Sequence, residues 1–298
     1  MSDLDPALLF DLIARHVPQE MHAHILIVGS LAAAYHHRAD LRHDGINTKD
    51  ADVIIHPAGA VEEAKAIAQR LLRDGWQPTE KCRPSPEPTP VDDLPFVRLY
   101  PPGSNAYFIE LLAFPEAGQR DFKAVVPFRL ADGWYGMPSF RFMGLTDHKR
   151  QHAANGIAYA APAMMALSNL LAHPTLGSHR MSEPIGGRSL LRSAKDLGRV
   201  LALARLAPGG RDETEAWVDD WEPALRSRFP TEYATLAART GSGLRELLND
   251  PGALDEARHA VDVGLLAGRR VTVAELKALG QQLLADAIDV LAQRCVKP

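Results

Sequence analysis

The reading turns on HILIVGSLAAAYHHR, residues 24–38, and on KDADVII, residues 49–55. His24–Val28 is a short apolar run and reads as a buried strand, which Gly29-Ser30 turns. Leu31–Arg38 is rich in Ala, which loses no side-chain entropy on ordering, and reads as a helix. Asp40–Thr48 is polar, holds Gly45 and reads as a loop. Ala51–Ile55 reads as a second strand, ended by His56-Pro57-Ala58-Gly59. Side chains at i and i+2 of a strand share one side, so Asp50 and Asp52 project together. Neighbouring carboxylates oppose each other's ionisation unless a cation lies between them. Mg2+ takes oxygen ligands and is usually held by one or two carboxylates plus substrate phosphates. The aspartate pair fits that need.

The turn before the helix supplies a second half. Gly29 permits close backbone approach. The helix after it would aim free N–H groups and its positive end at whatever lies there, a generic phosphate-binding arrangement. The Ser30 hydroxyl adds a donor. A third carboxylate is found in Tyr107-Phe108-Ile109-Glu110-Leu111-Leu112, where Glu110 is a charge inside an apolar run and needs a compensating partner. A neighbouring strand could bring Glu110 beside the aspartates. The competing reading is an edge-strand charge facing water.

Farther out, residues 5–17 carry apolar side chains at helical spacing after an Asp5-Pro6 start signal. Ala60–Asp74 reads as a helix closed by Gly75. Cys82–Pro90 holds four prolines in nine residues, which excludes helix and central strand and gives an exposed connection. Phe96–Tyr100 and Ala106–Phe114 read as strands joined by Pro101-Pro102-Gly103-Ser104, and further short strands are expected between Phe122 and Phe142. From Pro162 the pattern turns helical: Pro162–Ala172, Ser189–Leu206 and most of Glu213–Gln293. The expected fold class is therefore α+β, with a mixed sheet and flanking helices in residues 1–160 and a helical domain in residues 161–298.

Composition sets outer bounds. The chain has 298 residues, a net charge of −4 and two cysteines. It is not a broadly basic nucleic-acid binder, although a local basic patch is compatible with that charge. Cys82 and Cys295 are far apart and outside any CxxC pair, which argues against a disulfide framework or zinc site and points to a reducing cytosol. The first residues read as an amphipathic helix, not a signal peptide, and no run of about 18 apolar residues suggests a membrane span. His22, His24, His36, His37, His43 and His56 match no zinc spacing and are taken as structural or surface groups. Trp76, Trp134, Trp217, Trp221, Met164 and Met165 read as packing groups. Lys49 reads as solvent-facing, and Thr146–His152 as a solvated polar loop.

Taken in order, Gly29-Ser30, a helix, Asp50-Ala51-Asp52 before an apolar strand and a carboxylate on a later strand resemble the polymerase-β nucleotidyltransferase superfamily. Val28-Gly29-Ser30-Leu31-Ala32-Ala33 and Thr48-Lys49-Asp50-Ala51-Asp52 look most like its AbiE-type members, toxin components of type IV toxin–antitoxin systems. The resemblance spans residues 20–115. Arg192-Ser193-Ala194-Lys195-Asp196-Leu197 is similar to a basic-then-acidic helical motif of that group. The chain departs from the group at Arg199 and Val200, where a second Asp is usual. It departs again at Asn169, where a Lys is usual if Pro162 aligns, and at Glu110, where Asp is more frequent.

The resemblance implies a nucleotidyltransferase domain over residues 1–160 and two-metal transfer of a nucleoside monophosphate from an NTP. Asp50 and Asp52 would hold both Mg2+ ions, and Glu110 the ion beside the attacking hydroxyl, whose proton it would accept. Gly29 and Ser30 would hold the triphosphate, and Arg192 or Lys195 would neutralise phosphate charge. The acceptor would be an RNA such as a tRNA end, or a protein side chain; a small molecule, as in antibiotic-modifying relatives, is the nearest enzymatic rival. An RNA acceptor requires a basic face, for which Arg188, Arg192, Lys195 and Arg199 are candidates. A toxin of this class implies an antitoxin partner. The rival from another class is a catalytically silent module that keeps the fold and binds a partner.

Overall fold

The first helix shows how local chemistry starts the chain. Asp5 accepts hydrogen bonds from the N–H groups of Ala7 and Leu8, and Pro6 fills the first helical position, where no N–H is needed. Helix α1 (Pro6–His16) then buries Leu9, Phe10 and Ile13. A computed structural model describes residues 5–41, 48, 50–85, 89–176 and 179–296, with backbone alone at 174–176. The chain divides into two compact units: Met1–Tyr35 with Asn47–Ala160, and His36–Ile46 with Ala161–Pro298.

The first unit is built on a sheet. Its elements after α1 are β1 (Ile25–Val28), α2 (Gly29–His36, whose last residue belongs to the second unit), β2 (Asp50–Ile55), α3 (Val61–Arg73), β3 (Gln77–Pro78), β4 (Arg98–Tyr100), β5 (Phe108–Ala113), β6 (Lys123–Leu130), β7 (Gly133–Phe140), β8 (Gln151–His152) and β9 (Ala158–Tyr159). Seven strands pair in the order β3-β4-β5-β2-β1-β9-β8, and β6 and β7 form a separate hairpin. The sheet is mixed: β2 runs antiparallel to β1 and parallel to β5. A parallel pair needs a long crossover, and the connection from β2 to β5 contains α3. Phe10 of α1 stacks on Tyr35 of α2 with ring centroids 4.0 Å apart, and both rings meet Tyr159 of β9 edge-on, which ties both helices to the sheet.

Several boundaries differ from the sequence reading. His24 ends a 3-10 turn (Gln19–His24) and β1 begins at Ile25. Cys82 is buried, and Ser85 exchanges both backbone hydrogen bonds with Trp134. The segment expected to be an exposed connection is thus partly paired, because Ser85 supplies the N–H that its proline neighbours lack. Residues 86–88 lie outside the described set. Thr146 is buried in a 3-10 turn (Arg141–Asp147), and Gln151 and His152 are an edge strand. Strands β3, β8 and β9 have two residues each, too few to show a period.

The second unit is helical: α4 (Pro162–Leu176), α5 (Arg192–Leu206), α6 (Arg211–Ala216), α7 (Val218–Arg228), α8 (Tyr233–Arg239), α9 (Ser242–Asn249), α10 (Pro251–Asp262), α11 (Val273–Leu283), a π-helical turn (Leu284–Ile288) and α12 (Asp289–Val296). Helix α5 begins three residues later than its apolar spacing suggests. Arg192 N–H bonds to His179 O and Met181 N–H to Leu190 O, so the residues before Arg192 pair as extended chain. The Glu256 side chain ties down the residue just before α5 by accepting from Leu191 N–H at 2.6 Å. Gly198 lets α5 approach α10 closely, since a Cβ there would lie 3.1 Å from Ala257 O. Helix α11 starts with a reciprocal capping box between Thr272 and Glu275. Trp221, Met164, Leu167, Leu170, Leu197 and Leu201 are fully buried in this unit, and Trp221 Nε1 donates to Ala163 O at 2.8 Å. Among the described residues, no helix is long and apolar enough to cross a membrane.

Trp221→Ala removes that bond and leaves a cavity. It should lower stability by about 3–5 kcal/mol, read as an earlier urea midpoint. His37 is 1% exposed, and neither ring nitrogen has a hydrogen-bond partner among the described residues. Burial, with His36 and Arg269 acting in the same direction and Asp40 opposing, depresses its pKa to about 4. The unfolded chain therefore takes up this proton first as pH falls, starting near pH 6.5. About 3 kcal/mol of stability should be lost between pH 6.5 and 4. Urea unfolding across that range should show the loss in wild type and a flatter profile in His37→Leu.

Candidate functional site

Strand register places the acidic side chains. Asp52 of β2 lies opposite Val28 of β1 and, on its other side, opposite Glu110 of β5. Asp50 lies opposite Phe108, and Glu110 lies opposite Arg98 of β4. Residues opposite one another across a ladder share a face. Asp52, Glu110 and Arg98 therefore form a row across three strands, with Asp50 and Phe108 two residues along on the same face. Asp50 and Asp52 are half-buried, while Ala51 and Val53, which point to the other face, are buried.

Gly29 joins the first strand to this row. Its φ is +74°, and a Cβ built on it would lie 2.8 Å from Asp52 Oδ2. The Asp52 carboxylate thus rests on the bare backbone at the start of α2, and half-buried Ser30 follows. Only glycine meets both conditions without strain: a left-handed backbone and no side chain against the carboxylate. The position also suits an anion, because the helix start carries the positive end of the dipole.

Asp50 is oriented by Thr48, a residue of the motif to which the sequence alone assigned no role. Thr48 Oγ1 donates to Asp50 Oδ1 at 2.9 Å and to Asp50 O at 3.2 Å. A hydroxyl two residues from an acid is a familiar local hydrogen-bond pattern, so the signal was present. Arg98 was missed as well. Its Nε donates to Glu110 Oε2 at 3.0 Å, and its guanidinium lies near the rings of Phe96 and Phe108. Arg98 is the lone charge in Phe96-Val97-Arg98-Leu99-Tyr100, the same kind of signal that singled out Glu110. The edge-strand reading of Glu110 is excluded, because β5 lies inside the sheet between β4 and β2 and Glu110 is 8% exposed.

Asp50 and Asp52, beside a glycine-floored helix start, suit a Mg2+ ion that completes its shell with phosphate and water. Among the described residues, no group of three or more His, Cys, Asp or Glu side chains could hold a metal ion. The three acids share a face, then, and Glu110 is engaged by Arg98.

Arg192 and Lys195 lie in the first turn of α5, in the second unit. Arg192 and Arg199 both approach Asp196 at 3.8 Å, and Arg188 pairs with Asp255 at 3.1 Å. Three of the four cations considered for an RNA face are thus neighboured by acids. His56 pairs with Asp147 at 3.3 Å, and His24 Nδ1 lies 2.9 Å from His56 O, consistent with structural roles. Trp76, Trp217, Met164 and Met165 are buried as packing groups. His43, Gly45 and Lys49 lie outside the described residues.

No family model matches the chain, and no curated protein matches it. These comparisons give the AbiE-type resemblance no support. Among solved structures, the chain is similar to the CD-NTase CdnG of Bradyrhizobium diazoefficiens, in complex with GTP. Identity is 11%, coverage is 99% of this chain and 95% of that one, and the TM-score is 0.26. A superposition that loose carries no functional argument, and the case for a site stands on the local geometry of β1, α2, β2 and β5.

Gly29→Ala tests the contact at the helix start. The left-handed φ should cost about 1–2 kcal/mol, and the Asp52 carboxylate, the free end of its side chain, should turn aside from the new methyl group. Thermal unfolding of the variant should show that cost as a clear drop in midpoint.

Proposed function

We propose that the chain is a nucleotidyltransferase that moves a nucleoside monophosphate from an NTP to an acceptor hydroxyl. The observation that carries this reading is the seat of Asp52 on Gly29 at the start of α2, with Asp50 on the same side of the strand. That arrangement supports a metal-binding role for the two acids and an anion-binding role for the backbone beside them. Asp50 and Asp52 hold Mg2+, with Thr48 fixing the Asp50 carboxylate. Gly29 and Ser30 hold triphosphate oxygens through backbone N–H groups and the serine hydroxyl. The bound Mg2+ supplies charge neutralisation for the triphosphate and lowers the pKa of an adjacent hydroxyl. The acceptor oxygen attacks the α-phosphorus, the bond to the β-phosphate oxygen breaks, and pyrophosphate leaves with the electron pair. Glu110, opposite Asp52, takes up the proton that the acceptor hydroxyl releases.

The acceptor is a hydroxyl of RNA or of a protein side chain. The acids beside Arg188, Arg192 and Arg199 weaken the case for an RNA-binding face on α5 and favour the protein acceptor. The AbiE-type resemblance adds a toxin role and an antitoxin partner.

The test incubates the full chain with Mg2+, each α-labelled NTP in turn, and total RNA. Label should pass to protein or to RNA, and Asp52→Ala should reduce transfer more than about 100-fold, since even partners behind metal ligands are worth 10- to 100-fold. Thr48→Val should weaken Mg2+-dependent triphosphate binding about 10- to 100-fold, read by filter binding. Equal triphosphate binding by wild type and Asp52→Ala would remove the basis of this reading.

A further inference from the structure

The face that carries Asp50 and Asp52 also carries a cation built into the chain. Register sets Arg98 opposite Glu110, and Glu110 opposite Asp52. Arg98 Nε and Glu110 Oε2 are 3.0 Å apart, with the two side chains only 26% and 10% exposed. The guanidinium carbon lies 5.9 Å from the Phe96 ring centroid and 5.7 Å from that of Phe108. Aromatic faces attract a guanidinium. Arg98 is therefore held by a carboxylate and two rings at once. Its charge is permanent, because a guanidinium does not lose its proton in a protein.

We infer that Arg98 takes the electrostatic place of a second divalent ion. The site binds one Mg2+, through Asp50 and Asp52, while Glu110 anchors Arg98 and ligates no metal. This inference rests on the nucleotidyltransferase reading and departs from the two ions its family resemblance implies. Paired ions in two-metal sites lie about 3.5–4 Å apart and are clamped by shared ligands. Seating an ion on Glu110 would make that carboxylate serve the ion and Arg98 at once, with Oε2 already taken by Arg98 Nε. It would also set a double positive charge beside a guanidinium that cannot neutralise itself. Both effects are strong in a sheltered position, where solvent screens little. Arg98 is on this view a positioning residue: it fixes Glu110 and sets the charge beside Asp52.

Electron paramagnetic resonance of Mn2+ bound to the full chain, with inorganic tripolyphosphate present, tests this directly. Two Mn2+ ions at such short separation give a spin-coupled spectrum, whereas one gives an uncoupled signal. Wild type should bind one uncoupled ion, and so should Arg98→Lys, which keeps the charge. Arg98→Gln frees Glu110 and should admit a second, coupled ion. Arg98→Gln combined with Glu110→Gln should return the count to one. A coupled pair in wild type overturns the inference and leaves the nucleotidyltransferase reading standing. So does a folded Arg98→Gln, verified by circular dichroism, that still binds a single ion. If Arg98→Gln fails to fold, the wild-type and Arg98→Lys spectra decide. A wild type that binds no Mn2+, or binds it equally well as Asp52→Ala, removes the nucleotidyltransferase reading and this inference with it.

Discussion

A single contact organises the acidic face: the Asp52 carboxylate against the Cα of Gly29. It joins two adjacent strands at the point where one of them becomes a helix. The left-handed backbone of Gly29 turns the chain from β1 directly into α2 with no intervening loop. The missing side chain leaves the space that Asp52 occupies. Neither residue would serve the other's purpose in a different register. A buried core of Ile25, Leu26, Ile27, Ala51, Val53 and Ile54 holds that register from within the sheet.

The rest of the face follows a pattern of paired charges. Glu110 is nearly buried, and such a group is costly unless paired and hydrogen-bonded. Arg98 answers that cost from the next strand, and Thr48 supports Asp50 from the chain just before it. The helical unit satisfies N–H groups with side chains at two helix starts, where Asp250 caps α10 and Thr272 caps α11. His37 departs from that pattern, with two buried ring nitrogens that have no partner among the described residues.

The α+β class, the places of the main strands along the chain and the shared side of Asp50 and Asp52 were legible in the sequence because period-two alternation and apolar runs are local signals. The helical second half was legible for the same reason, down to the core placement of Met164, Trp217 and Trp221. The pairing of β2 with β5 was not, because register between strands so distant in sequence is set by tertiary packing. Arg98 went unnoticed although it sits in its apolar strand much as Glu110 sits in its own. The difference was a motif that asked for a third acid and did not ask for a base. The start of α5 was misplaced because Ser189, Leu190 and Leu191 continue a helix-compatible pattern while the backbone pairs elsewhere.

The parallel alignment of β2 and β5 has a consequence for how the gene can change in length. The two strands match residue for residue from Asp50 with Phe108 to Ile55 with Ala113. Codons gained or lost in the turns around Gly59 or Gly103, where a Cβ would meet open space, leave that alignment whole. A single codon added between Asp50 and Asp52, or between Phe108 and Glu110, would reverse the side chains beyond it and part the acids. Indels should therefore accumulate in the turns and be absent from these two short segments, a frame as constraining as the identity of the acids.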